Sequence, residues 1–156
     1  LKQHQDKNYD IILMNTTWHW RAYVSNLLSA DFLSIIKQAL AKDGVVYYNT
    51  TQSLDAYYTA QSVYDYVYKY KFFILGSNQP VVLNQTMIKN NLCQLKNYKT
   101  KQPVFSTQEK CVQAAEVIMS NPLLLYKNVD ITEMGRAPRI ITDNNMITEY
   151  KYGKGL

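Results

Sequence analysis

Four consecutive apolar residues, Ile11-Ile12-Leu13-Met14, stand between Asp10 and Asn15. A run this short with polar ends predicts a strand buried on both faces, the pattern of a parallel sheet. Parallel strands need a long crossover, usually a helix, and the next stretch supplies one. Ser29 is placed to cap it and Asp31 favours its positive end. Phe32, Ile35, Ile36, Ala39 and Leu40 recur at helical spacing. Lys42 suits the last turn, and Gly44 is placed to end the helix in the left-handed conformation.

The pattern then repeats. Gly44 to Asn49, G-V-V-Y-Y-N, predicts a second strand. Ser53 is placed to cap a second helix whose apolar face is Ala56, Tyr57, Ala60, Val63, Tyr64, Val67 and Tyr68. Phe72 to Leu75 predicts a third strand, closed by Gly76-Ser77-Asn78. Two crossover units of a parallel sheet follow from this order, giving an α/β fold with a Rossmann-like half domain over residues 1–83. Pro80 to Leu83 reads as a short extended segment. A mainly helical extension is expected over 84–138. Asn84 caps one helix, and Ser106-Thr107-Gln108-Glu109 opens another that Asn121-Pro122 should stop. Residues 139–156 form a tail with one apolar pair, Ile140-Ile141.

The 156 residues, 47% apolar, suffice for one domain with a real core. No apolar run approaches the roughly 20 residues that span a bilayer. The polar opening, Leu1-Lys2-Gln3-His4, reads as the middle of a longer polypeptide, so the rest of that polypeptide is the expected partner. The net charge of +5 is spread thinly. Lys69 and Lys71, and the group Lys96, Lys99 and Lys101, read as solvated lysines, and no nucleic-acid partner is expected. Cys93 and Cys111 lack metal-ligand spacing and read as buried thiols, which implies a reducing, cytoplasmic compartment. Tyrosines crowd the second helix, either as a packing surface or in part as a homodimer interface.

One echo points to a site. D-I-I-L-M-N-T-T ends at Thr17 and G-V-V-Y-Y-N-T-T at Thr51. Ligands of open parallel sheets bind beyond the carboxyl ends of the strands, so Asn15, Thr16, Thr17, Asn49, Thr50 and Thr51 are candidates to line one crevice. The bland alternative is that Asn and Thr end strands and begin turns. Trp18 and His19 follow the first Asn-Thr-Thr and could wall the same crevice. No glycine-rich phosphate loop, nucleophile elbow or metal-binding helix is present.

The stretch L-K-Q-H-Q-D-K-N-Y-D-I-I-L-M-N-T-T resembles the approach to the catalytic loop of spermidine synthases. There an apolar strand precedes D-[ST]-[ST]-D-P. The segment A-D-F-L-S-I-I-K-Q-A-L-A-K-D-G-V-V-Y-Y-N is similar to the family's F-x-x-x-x-x-x-L-x-x-G-G. The tail I-T-D-N-N-M-I-T-E-Y is similar to its T-D-D-x-P-x-x-E-Y ending, found also in members fused to membrane segments. The resemblance implies a partial methyltransferase-type sheet and, for a whole domain, decarboxylated S-adenosylmethionine as donor and an amine as acceptor. No cofactor is expected in this chain alone, because the cofactor loop would lie upstream. The family's two catalytic carboxylates fall on Asn15 and Trp18. An amide cannot take a proton from an ammonium group at neutral pH, so standard aminopropyl transfer should be lost. The alternatives are a methyltransferase-type enzyme acting on a neutral acceptor, possible with S-adenosylmethionine in a full-length protein, and a non-catalytic structural or regulatory domain of a membrane-fused protein.

Overall fold

The computed structural model describes residues 8–15, 25–50, 53–126 and 136–145. They form a mixed α/β arrangement with a five-stranded, mostly antiparallel sheet and four α-helices. Two compact units are present: Leu1–Val81 with Leu124–Leu156, and Val82–Leu123.

The first unit holds the sheet. Its strands are β1 (Tyr9–Met14), β2 (Leu40–Asn49), β3 (Tyr66–Tyr70), β4 (Phe73–Ser77) and β5 (Leu124–Leu125), in the spatial order β1-β2-β4-β3-β5. β1 and β2 are parallel and joined through helix α1 (Ala30–Ala39), as the apolar runs predict. Ser29 caps α1, its hydroxyl accepting from Phe32 N at 3.1 Å. Leu33 and Ile36 are the residues that α1 buries.

Three expectations need correction here. First, α1 ends at Ala39, and Leu40 already begins β2. Gly44 is therefore inside a strand. Its role is spatial: Tyr9 pairs with Leu40 but Ile11 with Val45, so the extra residues bulge toward β1. A Cβ on Gly44 would lie 2.7 Å from the Tyr9 carbonyl oxygen.

Second, helix α2 (Leu54–Val63), capped by Ser53, stops before Tyr64, and Val67 and Tyr68 belong to β3 instead of its apolar face. The run Tyr66-Val67-Tyr68-Lys69-Tyr70 is aromatic and β-branched, which favours a pleated surface over a helix. Lys37 Nζ closes the end of α2 by donating to Val63 O at 2.7 Å.

Third, Phe72–Leu75 is not a third parallel strand. The strand there, β4, runs antiparallel to both β2 and β3. Tyr70 pairs with Phe73, so Lys71 and Phe72 form a two-residue hairpin turn, with Lys71 at φ 56°. β3 itself runs in the sense of β1 and β2, and the second crossover returns to it with β4 slotted between. Gly76 in β4 makes room for Tyr64, whose ring carbon would lie 2.7 Å from an added Cβ. Segment 80–83 forms no strand; Val81 N donates to the Tyr68 hydroxyl at 2.9 Å.

The core of this unit lies between α1, α2 and the sheet: Leu28, Leu33, Ile36, Val46, Tyr48, Tyr57, Ala60, Ile74 and Ile141 are essentially unexposed. β1 is not buried on both faces. It occupies a sheet edge, with Ile11 and Leu13 67% and 63% exposed while Ile12 and Met14 pack on the core.

The second unit contains α3 (Gln85–Gln94) and α4 (Gln108–Met119), packed on each other. Asn84 and Thr107 cap them. Cys93 and Cys111 form a disulfide, which corrects the reading of two reduced thiols. α3 buries no residue, so a covalent tie stands in for a core. No helix among the described residues is long and apolar enough to cross a membrane. The helical extension stops before Leu124–Leu125, which pairs with β3.

Candidate functional site

The parallel register brings the carboxyl ends of β1 and β2 to the same end of the sheet. Met14 pairs with Tyr48, and Asn15 and Asn49 are the next residues along each strand. Asn15 is exposed and Asn49 half-buried, with Asn49 also opposite Phe73 of β4. Each four-residue apolar run, Ile11–Met14 and Val45–Tyr48, is thus followed by an asparagine where the parallel pairing ends.

Thr50 has a structural task. It is fully buried, its N–H donates to Phe72 O at 3.2 Å, and its carbonyl accepts from Ser53 N at 3.0 Å. That turn links the end of β2 to the cap of α2 and to the β3–β4 hairpin. Thr16, Thr17, Trp18, His19 and Thr51 lie outside the described residues.

Aromatic surface adjoins the carboxamides. Tyr47 stacks on Phe73 with ring centroids 4.6 Å apart, Phe72 is 52% exposed at the turn, and Lys71 Nζ lies 5.9 Å from the Tyr70 ring centre. Burial, with Tyr70 nearby, raises the Tyr47 hydroxyl above its ordinary range. The turn escaped the sequence reading because it contains no glycine, the usual signal of a two-residue hairpin.

A strap formed by residues 136–145 crosses the amino ends of both helices. Asp55, in the first turn of α2 and fully buried, accepts from Arg136 Nη1 at 3.1 Å, Arg136 Nη2 at 2.6 Å and the Arg139 N–H at 2.9 Å. Ile141 is fully buried, and its N–H donates to Thr59 Oγ1 at 2.8 Å. Its carbonyl accepts from Ala30 N at 2.8 Å. Ser29 Oγ donates to Asp143 Oδ1 at 2.5 Å, and Asp143 N donates to Asp31 Oδ2 at 3.0 Å. The two acids in the helix first turns, Asp31 and Asp55, are thus both held by the strap. The only forewarning of this in sequence is the apolar pair Ile140-Ile141.

The strand ends carry amides beside aromatic surface, and both helix-start carboxylates accept hydrogen bonds from the strap. Among the described residues no group of three or more His, Cys, Asp or Glu side chains is placed to hold a metal. Comparison of the sequence with protein-family models and with curated proteins finds no match.

Proposed function

We propose that the chain is the C-terminal part of a spermidine-synthase-like domain on a methyltransferase-type sheet, and that it lacks standard aminopropyl transfer. The observation that carries this reading is that Asn15 and Asn49 each follow directly on Met14 and Tyr48, the last paired residues of adjacent parallel strands, at their carboxyl ends. In the family that the sequence resembles, a carboxylate at the Asn15 position holds the amine and takes its proton. An uncharged amide does neither. The engagement of Asp55 supports the same reading, since it is buried and paired with Arg136.

The sheet is compatible with this assignment. β1, β2 and β3 run in one sense, successive ones joined through a helix as parallel strands require, with β4 reversed between β2 and β3. The apolar edge of β1 also suits a strand with a further neighbour in the same polypeptide, since an edge strand normally protects itself with charge, proline or short length.

The test is a paired assay of the full-length protein and an Asn15→Asp, Trp18→Asp double variant with decarboxylated S-adenosylmethionine and putrescine. Negligible turnover by the natural sequence is expected, because loss of a general base costs ~10²–10⁴ in rate. Gain of turnover in the variant would support a degenerate aminopropyltransferase site. Robust turnover by the natural sequence would overturn the reading. The uncharged amides favour one alternative, a methyltransferase-type reaction on a neutral acceptor, which an assay with S-adenosylmethionine and a neutral acceptor in place of putrescine distinguishes.

A further inference from the structure

The segment joining α3 to α4 is a built hairpin. Val104 N donates to Leu95 O at 2.9 Å, Lys96 bridges to Pro103, and Asn97 N donates to Gln102 O at 2.9 Å. At its tip the Asn97 side-chain oxygen accepts from Lys99 N and Thr100 N at 2.9 and 3.1 Å, and Lys101 N donates to Asn97 O at 2.9 Å. Lys101 adopts φ 59°, a left-handed conformation that disfavours a side chain. The Cys93–Cys111 disulfide closes the ring that contains the hairpin.

What this fixed loop displays is basic and aromatic. Lys96, Lys99 and Lys101 are exposed, and Tyr98 is 86% exposed with Lys101 Nζ 4.4 Å from its ring centre. Leu95 and Val104, paired at the base, are each about half exposed. Among the described residues no carboxylate lies within ion-pair distance of the three lysines. Residues 82–123 carry five lysines against two glutamates, and both glutamates lie on α4.

We propose that this hairpin is a docking surface for an anionic lipid bilayer. Lysines gain from the negative surface potential of the headgroups. Tyrosine suits the interface because its ring is apolar and its hydroxyl polar. Leu95 and Val104 extend the apolar contact behind it. A nucleic-acid surface would be built differently, with arginines for bidentate phosphate contacts and several aromatics to stack successive bases. Residues 82–123 contain no arginine, and the tip carries one aromatic ring. The disulfide holds the display in place before contact, so little ordering is needed on binding. This surface is independent of the aminopropyltransferase reading.

The experiment is co-sedimentation of the full chain with phosphatidylcholine vesicles with and without phosphatidylglycerol, at low and raised salt. Binding is expected only to the anionic vesicles, and it should weaken as salt screens the charges. Each lysine near such a surface contributes about fivefold in partitioning. A Lys96→Glu, Lys99→Glu, Lys101→Glu variant should therefore bind at least ~100-fold less well, and Tyr98→Ala should bind several-fold less well. All four side chains are exposed, so circular dichroism should be unchanged. No binding by the natural sequence, equal binding by the triple variant, or binding to a single-stranded oligonucleotide in preference to vesicles would each overturn the proposal.

Discussion

Tyr48 shows how a polar residue in the core can be a burden that the fold carries. Its side chain is fully buried on β2, and its hydroxyl has no hydrogen-bond partner among the described residues. Tyr64, also buried, is satisfied by donating to Leu33 O at 3.0 Å. An unpaired buried hydroxyl costs about 1–3 kcal/mol, while the aromatic ring keeps its packing if the oxygen is removed. Tyr48→Phe should therefore raise stability by about 1 kcal/mol, and Tyr64→Phe should lower it by a similar amount. Urea unfolding of both variants checks this, and a destabilised Tyr48→Phe would mean that the hydroxyl has a partner after all. The sequence disclosed that tyrosines cluster around the second helix, but not which of them would be bonded. That depends on where β2 and α1 meet, a tertiary fact.

At the scale of elements, the cap residues Ser29, Ser53 and Asn84 were legible, because a short polar side chain before an apolar periodic run has a local cause. The boundary between α2 and β3 was not. Tyr64, Val67 and Tyr68 continue the helical spacing of α2, so periodicity extends the helix across a break that sheet pairing imposes. The strap was equally hidden, since the bond between Asp55 and Arg136 spans 81 residues of sequence. Its energetic consequence follows from burial. Asp55 is 1% exposed and Arg136 31%, so removing the acid strands a partly exposed cation while removing the arginine strands a buried anion. Breaking a fully buried pair costs about 3–5 kcal/mol. Asp55→Ala should cost less, about 2–3 kcal/mol, because water still reaches Arg136. Arg136→Ala should cost at least as much, and Arg139 N–H alone would then face the buried carboxylate. Chemical denaturation of the two variants compares them. Equal stability of both with the natural chain would show that the strap is not fixed by this pair.

For the whole molecule, the two parallel strands and their crossover were legible from apolar runs. The reversal of β4 and the disulfide were not. The hairpin turn Lys71-Phe72 lacks glycine, and two cysteines 18 residues apart carry no pairing signal in a chain of this length. The buried tyrosines nonetheless give the folded state a collective signature in alkali. Burial pushes Tyr57 up to about 12, and Tyr48 and Tyr64 also lie above the ordinary tyrosine value of 10.0 because burial disfavours the phenolate. Below pH 10 these hydroxyls are protonated in both folded and unfolded chains, and this part of the stability is fully present. From pH 10 to about 12 the unfolded chain releases their protons while the folded chain retains them, so stability falls as pH rises. Each such tyrosine steepens the fall by up to about 1.4 kcal/mol per pH unit. Urea midpoints measured across this range should decline, and the decline should be shallower in Tyr57→Phe than in the natural chain. Every other side chain is common to both proteins, so the difference in slope belongs to Tyr57. An identical slope in the variant would mean that Tyr57 ionises in the folded chain as readily as in the unfolded one, and that its buried position between Tyr126 and Lys69 is not maintained in alkali.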